Sequence, residues 1–356
     1  MTDAKTLLSR YQPKDRKPIP QDRQLCTVRF SPCGKFLAAG DFEGRVCRWE
    51  SSAEGLTPQS ALSGHNGWVQ RIAFHPDGKR LYSADSWGEL RCWPIQEAEP
   101  RATWSVRAAH QSWIRGLAVS PDGQWLATCG RDGFIRCWNP ATGARKQEWA
   151  EPGADLFCVA FSPDSRSLVH GDLHGVVKQR DLASGKVLRQ FDARVMYLYE
   201  RIQDVGGVRC LAFEKTGATL AVGGGQPSSG GFVQGTALVL FFETATGKLV
   251  QELKIGTNND GFVHDGAWHR DGFFIGVSSG QPGQGKMFFH QPGAPAPFFL
   301  TPKMANCHGL AIHPDGHRLV VSATNASSAG NGRLLNKDKE YPGNSSPLFI
   351  WDLPKT

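Results

Sequence analysis

Residues 109–139, AHQSWIRGLAVSPDGQWLATCGRDGFIRCWN, set the rhythm of the chain. An apolar run ends in the turn Ser120-Pro121-Asp122-Gly123. A second run, Gln124 to Cys129, leads to a turn at Arg131-Asp132-Gly133, and a third run closes on Trp138. Short apolar runs bounded by such turn residues predict β-strands. The same alternation returns before it, in LCTVRFSPCGKFLAAGDFEGRVCRWE and GHNGWVQRIAFHPDGKRLYSADSWGELRCW. It returns after it in LFCVAFSPDSRSLVHGDLHGVVKQRDL, and in units opening on VRCLAF, FVHDGAW and CHGLAI.

The last apolar residue of each first strand is Phe30, Phe74, Val119, Phe161, Phe213, Trp268 or Ile312, with spacings of 42 to 55 residues. A period near 40–45 with several short strands per unit is the signature of propeller blades. Each unit shows three strands, and a fourth, outer strand fits segments such as Lys146 to Ala150 and Lys186 to Phe191. The expected fold is all-β: a single seven-bladed β-propeller over residues 1–356 with four-stranded antiparallel blades. The last unit stops at Thr356 without an outer strand. The N-terminal segment, residues 1–24, is expected to supply it, through residues near Thr6 to Gln12, and so to close the ring.

The pattern GH…SPDG…D…W resembles the WD-repeat propeller family over residues 25–356. In that family a His, a Ser or Thr, an Asp and the Trp form a hydrogen-bonded set within a blade. The resemblance maps the full set onto the third unit alone, as His110, Thr128, Asp132 and Trp138. The second unit keeps His65 and Trp93 but has a shifted turn, Asp85-Ser86-Trp87. The first has Glu43 at the Asp position, and the fourth has Arg180 where a Trp would stand. The resemblance implies a non-catalytic scaffold for protein–protein interaction.

The formal net charge is +7, but no run of Lys and Arg is long enough for a nucleic-acid stripe. Nine cysteines without a CxxC spacing read as small strand residues, and a reducing cytoplasm as their setting. No stretch is long and apolar enough to span a bilayer, and the N-terminus lacks an apolar signal core. No metal or other cofactor is expected. Gly280 to Lys286 fits the first seven positions of a phosphate-binding P-loop, but Met287 replaces the Ser or Thr and a strand follows, whereas that loop needs a helix.

Insertions fall at one end of the later units: Gly223 to Thr236, Ser278 to Lys286, Ala323 to Pro347, and Ala193 to Gly207 between units four and five. The last of these fits either a short amphipathic helix or a strand. Insertions on one face of a repeat array often mark the binding face. The first residues of each inner strand reach the same end. Four positions before the anchors stand Arg115, Arg209, His264 and His308, and six before stand Trp68, Trp113 and Phe262. With Arg131 these are the candidate partner-binding residues, centred on units five to seven. Arg and aromatic residues are the usual energetic anchors of interfaces, and the mixture points to a protein or peptide of acidic character. The rival reading is a lactonase-like propeller hydrolase with a central metal. It is disfavoured because the ring holds no carboxylate four before the anchors and only Asp265 three before.

Overall fold

Each of the seven units folds into one four-stranded antiparallel sheet, and the sheets form a closed ring. The computed structural model describes residues 4–200, 202–228, 235–280, 284–301, 304–324, 328–329, 332–333, 337–338 and 346–354. The inner strands are Leu25–Phe30, Val69–Phe74, Ile114–Val119, Leu156–Phe161, Cys210–Phe213, Phe262–Trp268 and Cys307–Ile312. Each packs beside the next around the axis, and the seventh packs beside the first. The apolar residues do not form one core. They fall into seven clusters, one between each pair of neighbouring blades, such as Val46, Leu62, Val69, Leu81 and Trp93 between blades one and two. A sheet buried on both faces needs near-continuous apolar strands, and the second strands supply them: every residue of Leu126–Gly130 and of Phe274–Ser279 is buried.

The turn after each inner strand demands a positive φ at its last residue. Gly34, Gly78, Gly123, Gly217, Gly272 and Gly316 provide it, while blade four uses Ser165 at φ 58°. That strained serine is held across the seam, where its hydroxyl accepts the Asp122 N–H at 3.1 Å. Blade four also replaces the expected Trp by Arg180. The guanidinium is buried, bonded to Glu151, and lies 5.5 Å from the Trp149 ring centroid.

The N-terminal segment closes the ring, but not through the expected residues. Ala4–Arg10 is an α-helix, so Thr6 to Gln12 is not the strand. Lys14–Asp15 pairs with Asp352 and Trp351, and Ile19 bridges to Leu348. The helix instead delivers Leu7 (6% exposed) and Tyr11 (2%) to the cluster between blades six and seven. Arg16 binds Asp352 and the Glu54 carbonyl, tying blade seven to blade one. Removing residues 1–20 deletes two buried side chains worth about 3–6 kcal/mol together and opens a sheet edge. The expected result is a fall in melting temperature of at least roughly 5 °C by differential scanning calorimetry; an unchanged melt would refute the closure.

The insertion 193–207 takes the strand alternative. A turn of 3-10 helix, Arg194–Met196, leads into a hairpin of Tyr197–Glu200 and Gln203–Gly206. The described residues of the Gly223 to Thr236 insertion are strand as well, apart from Ser228. It lengthens the two middle strands of blade five to Thr219–Pro227 and Gly235–Glu243, with residues 229–234 outside the described residues. The hairpin packs on this extension. Residues 281–283 of the Ser278 to Lys286 insertion, and most of Ala323 to Pro347, also lie outside the described residues.

Candidate functional site: an aromatic and cationic collar

The residues four before the anchors share one structural feature. In six blades they are β-bulges: the ladder skips Cys26, Gln70, Arg115, Phe157, His264 and His308 between flanking pairs. In blade five the ladder begins one residue later, at Cys210, after Arg209 N–H bonds to the Gly223 carbonyl. A bulge leaves one residue unpaired and re-aims its side chain. Repeated around the ring, it gathers Arg115, Phe157, Arg209, His264 and His308 at one mouth of the central channel.

There they form a continuous collar with the residues two positions earlier. Phe42 stacks on Trp68, with centroids 4.4 Å and planes 4° apart, and Trp68 meets Trp113 edge-on at 5.5 Å. Arg115 lies 5.4 Å from the Trp113 centroid and 4.2 Å from that of Phe157. Arg209 covers the other side of the sequence of rings, 4.2 Å from Phe157 and 5.3 Å from Phe262. Phe262 contacts His264 at 6.4 Å, and His264 contacts His308 at 5.6 Å. Seven of the eight candidate residues are thus in one chain of contacts. The eighth, Arg131, is exposed at the rim, with its N–H on the Trp113 carbonyl.

Electrostatics follow from burial. Burial pushes the Asp155 carboxyl up against the opposing pull of Arg115, Arg131 and Arg209, and Asp155 pairs with Arg115 at 3.1 Å. Burial also brings the Arg209 guanidinium down to about 10 and His308 down to about 4, and drives His264 down. At neutral pH both histidines are therefore uncharged, and the collar's charge comes from its arginines. Two members were missing from the candidates read in the sequence. Phe42 extends the collar into blade one, and Trp87 follows Ser86, whose N–H bonds the Trp68 carbonyl, at 69% exposure, against 40% for Trp68. A bulky aromatic in a turn position, where packing gives it no role, was the available signal. Between blades four and five, the hairpin shows Tyr199 at 61% and Ile202 at 88% exposure.

For the catalytic rival, the two acids described at the channel, Asp155 and Asp265, are each held in an ion pair, Asp155 with Arg115 and Asp265 with Arg29. Asp265 is bonded to Arg29 at 2.6 Å and accepts the Leu310 and Gly266 N–H groups. Among the described residues the one His/Asp/Glu cluster with ligand-like spacing is His65, Asp85 and Glu89, inside blade two. Its atoms are engaged, with His65 between Asp85 and Ser83 and Glu89 on Arg91. Lys286, the P-loop-like lysine, pairs with Asp260 at 2.7 Å. A cavity of about 380 Å³ lies at the other end of the ring where blades seven and one meet. Its Arg318 is already bound to Asp352 and to the Ser52 and Ala53 carbonyls.

The within-blade set is present twice. In blade three, Trp138 Nε1 donates to the Thr128 hydroxyl at 2.9 Å, which lies 2.8 Å from His110 Nε2, while His110 Nδ1 reaches Asp132 at 2.8 Å. Blade two repeats it with Trp93, Ser83, His65 and Asp85 at 2.7, 2.6 and 3.0 Å. The expectation that only the third unit carries the set is corrected here: Asp85 comes from the end of the second strand, two positions earlier than Asp132, and still reaches the histidine.

A ring of seven four-stranded blades, two of which carry the hydrogen-bonded set, has the arrangement of a WD40-repeat propeller. The family described as "WD domain, G-beta repeat" matches residues 20–50, 56–94 and 100–139, the first three blades. Among curated proteins the chain is similar to nuclear distribution protein PAC1 of Arthroderma benhamiae, 33% identical over 67 residues, which cover 19% of this chain and 14% of that protein. It is also similar to nuclear distribution protein nudF of Aspergillus flavus, 37% over 62 residues, 17% of this chain and 13% of the relative. Actin-interacting protein 1 of Drosophila melanogaster is 31% identical over 77 residues, 22% of this chain and 13% of the relative. Among the described residues no helix is long and apolar enough to cross a membrane.

Proposed function

We propose that the protein is a non-catalytic, cytoplasmic interaction scaffold that docks a partner protein or peptide on the collar face. The observation that carries this reading is the unbroken run of aromatic and arginine side chains from Phe42 to His308, flanked by exposed Trp87. Aromatic and arginine side chains that are already held in place lose little freedom on association. Trp68 and Trp87 are the apolar anchors; Arg115, Arg131 and Arg209 favour acidic groups on the partner. The hairpin of Tyr197–Glu200 and Gln203–Gly206, whose Gly206 carbonyl accepts from Arg209, adjoins the same face. Nine free cysteines support a reducing compartment. The names of the relatives, one of them actin-interacting, agree with a scaffold.

The test is capture of partners from lysate by the wild-type protein and by a Trp68→Ala/Trp87→Ala variant, whose substitutions lie at exposed positions. Truncating such an aromatic anchor typically weakens binding by about 2 kcal/mol or more, a loss near thirtyfold. The same partners recovered equally by both proteins would refute the collar. An Arg209→Ala/His264→Ala/His308→Ala variant measures separately how far the footprint reaches into blades five to seven.

A further inference from the structure

Below the collar the channel narrows to a cavity of about 80 Å³, lined by Arg29, Arg71, Arg209, Asp265, His264 and His308 among others. Three guanidinium groups face one carboxylate. Asp265 is consumed by Arg29 and by two backbone N–H groups. Among the described residues neither Arg71 nor Arg209 has a carboxylate within ion-pair distance. Arg71 donates to its neighbour's carbonyl, Gln70, at 2.9 Å, and Arg209 to Gly206 at 2.7 Å. Arg71 stands close enough to the axis to depress His264 and His308 across the ring, as well as Arg209. Arg209 Nε and His308 Nε2 are buried without a hydrogen-bond partner.

Buried charges in proteins are paired, because an uncompensated ion in a low-dielectric site is costly. Here Arg209 and the half-buried Arg71 lack an ion-pair partner among the described residues, Asp155 acting on Arg209 only at longer range, and two neutral imidazoles can each donate one ring N–H. Guanidinium forks match the paired oxygens of an oxyanion better than a spherical ion. We propose that the channel between Arg71, Arg209, His264 and His308 is a binding site for one small oxyanion. The cavity holds a few waters' worth of space, which fits a single phosphate- or carboxylate-sized group. That group is either a free ion or a carboxylate that a docked partner inserts through the collar. The site itself does not depend on the collar docking anything.

The experiment is isothermal titration of the full-length protein with inorganic phosphate and, separately, with acetate, at fixed ionic strength made up with chloride. Binding of one equivalent is expected, weakened at least tenfold in Arg71→Gln and in Arg209→Gln and unchanged in Trp68→Ala. Phosphate binding without acetate binding supports a free ion as the source; acetate binding without phosphate binding supports a carboxylate. No binding of either by the wild-type protein, or binding by both arginine variants as tight as that of the wild type, would overturn the proposal. If a glutamine variant does not fold, Arg71→Lys keeps the charge but removes the fork, and a loss of affinity short of abolition is then expected. Unaltered binding in that variant would overturn the role of Arg71. The loss of Trp68→Ala partner capture with phosphate binding intact would separate this site from the docking face.

Discussion

Between pH 6.5 and 4 the protein is expected to lose most of its stability and unfold. His170, His290 and His308 are each brought down to about 4, in every case chiefly by burial. At His170 the pull of Glu151, 3.5 Å away, opposes burial, while Arg180 and Lys178 add to it. At His290 only a backbone contact with Ala296 opposes burial. An unfolded histidine titrates near 6.5, so in this window the unfolded chain binds more protons and gains on the folded state. Stability is full above about 6.5 and falls as the pH approaches 4. At pH 4.5 each such histidine costs about 2–3 kcal/mol, and three together cost a sum comparable with the whole stability of a typical domain, roughly 5–15 kcal/mol. Asp132 acts in a lower window. Its burial is outweighed by His110 and Arg136, which hold it well below the usual carboxylate range, so its contribution is lost only as the pH falls below about 4. The acid midpoint is read by tryptophan fluorescence and circular dichroism. A His170→Leu/His290→Leu variant is expected to unfold at lower pH than the wild type; coincident midpoints would refute the assignment.

The second large effect is expected from a single hydroxyl. Thr128 lies between two buried ring nitrogens of blade three. Its oxygen accepts from Trp138 Nε1; the Asp132 carboxylate, which only accepts, assigns the His110 proton to Nδ1, with the nearby Arg136 Nη1 donating to Asp132 instead, and so leaves His110 Nε2 to accept the Thr128 proton. Thr128→Val keeps the branched shape but leaves a buried donor and a buried acceptor unmade. Each unsatisfied group costs about 1–3 kcal/mol, so a loss of roughly 2–5 kcal/mol is expected in urea denaturation. Thr128→Ser is expected to recover most of it. Equal midpoints for the valine and serine variants would mean that the methyl group, not the hydroxyl, matters there. Ser83→Ala in blade two is expected to behave in the same way, because Ser83 bonds His65 and Trp93 similarly.

The legible parts of the fold were local. The turn at Ser120 to Gly123 and the outer strand near Lys146 to Ala150 follow from residues within a few positions of one another, and the structure has the strand at Arg145–Ala150. Asp85 was misread because a motif is aligned by count, whereas a carboxylate at a strand end reaches the same histidine from two residues earlier. The closing strand was placed on Thr6 to Gln12 because those residues have no other repeat partner. Leu7 and Tyr11 are more strongly drawn into the seam between blades six and seven, and the pairing falls on Lys14–Asp15 instead.

The candidate site divides in the same manner. Counting back from the anchors picked out Trp68, Trp113, Arg115, Arg209, Phe262, His264 and His308, because every inner strand starts at the same end of its blade. Nothing in the count revealed that the shared position is a bulge, that Phe42 and Trp87 join the collar, or that Arg29 removes Asp265 from the channel's free charges. By itself the sequence determined seven strand-and-turn units and their direction, since alternation and turn chemistry act over a few residues. The tertiary structure alone decided which side chains face one another across the axis, since Arg71 of blade two meets Arg209, His264 and His308 only once seven sheets have closed into a ring.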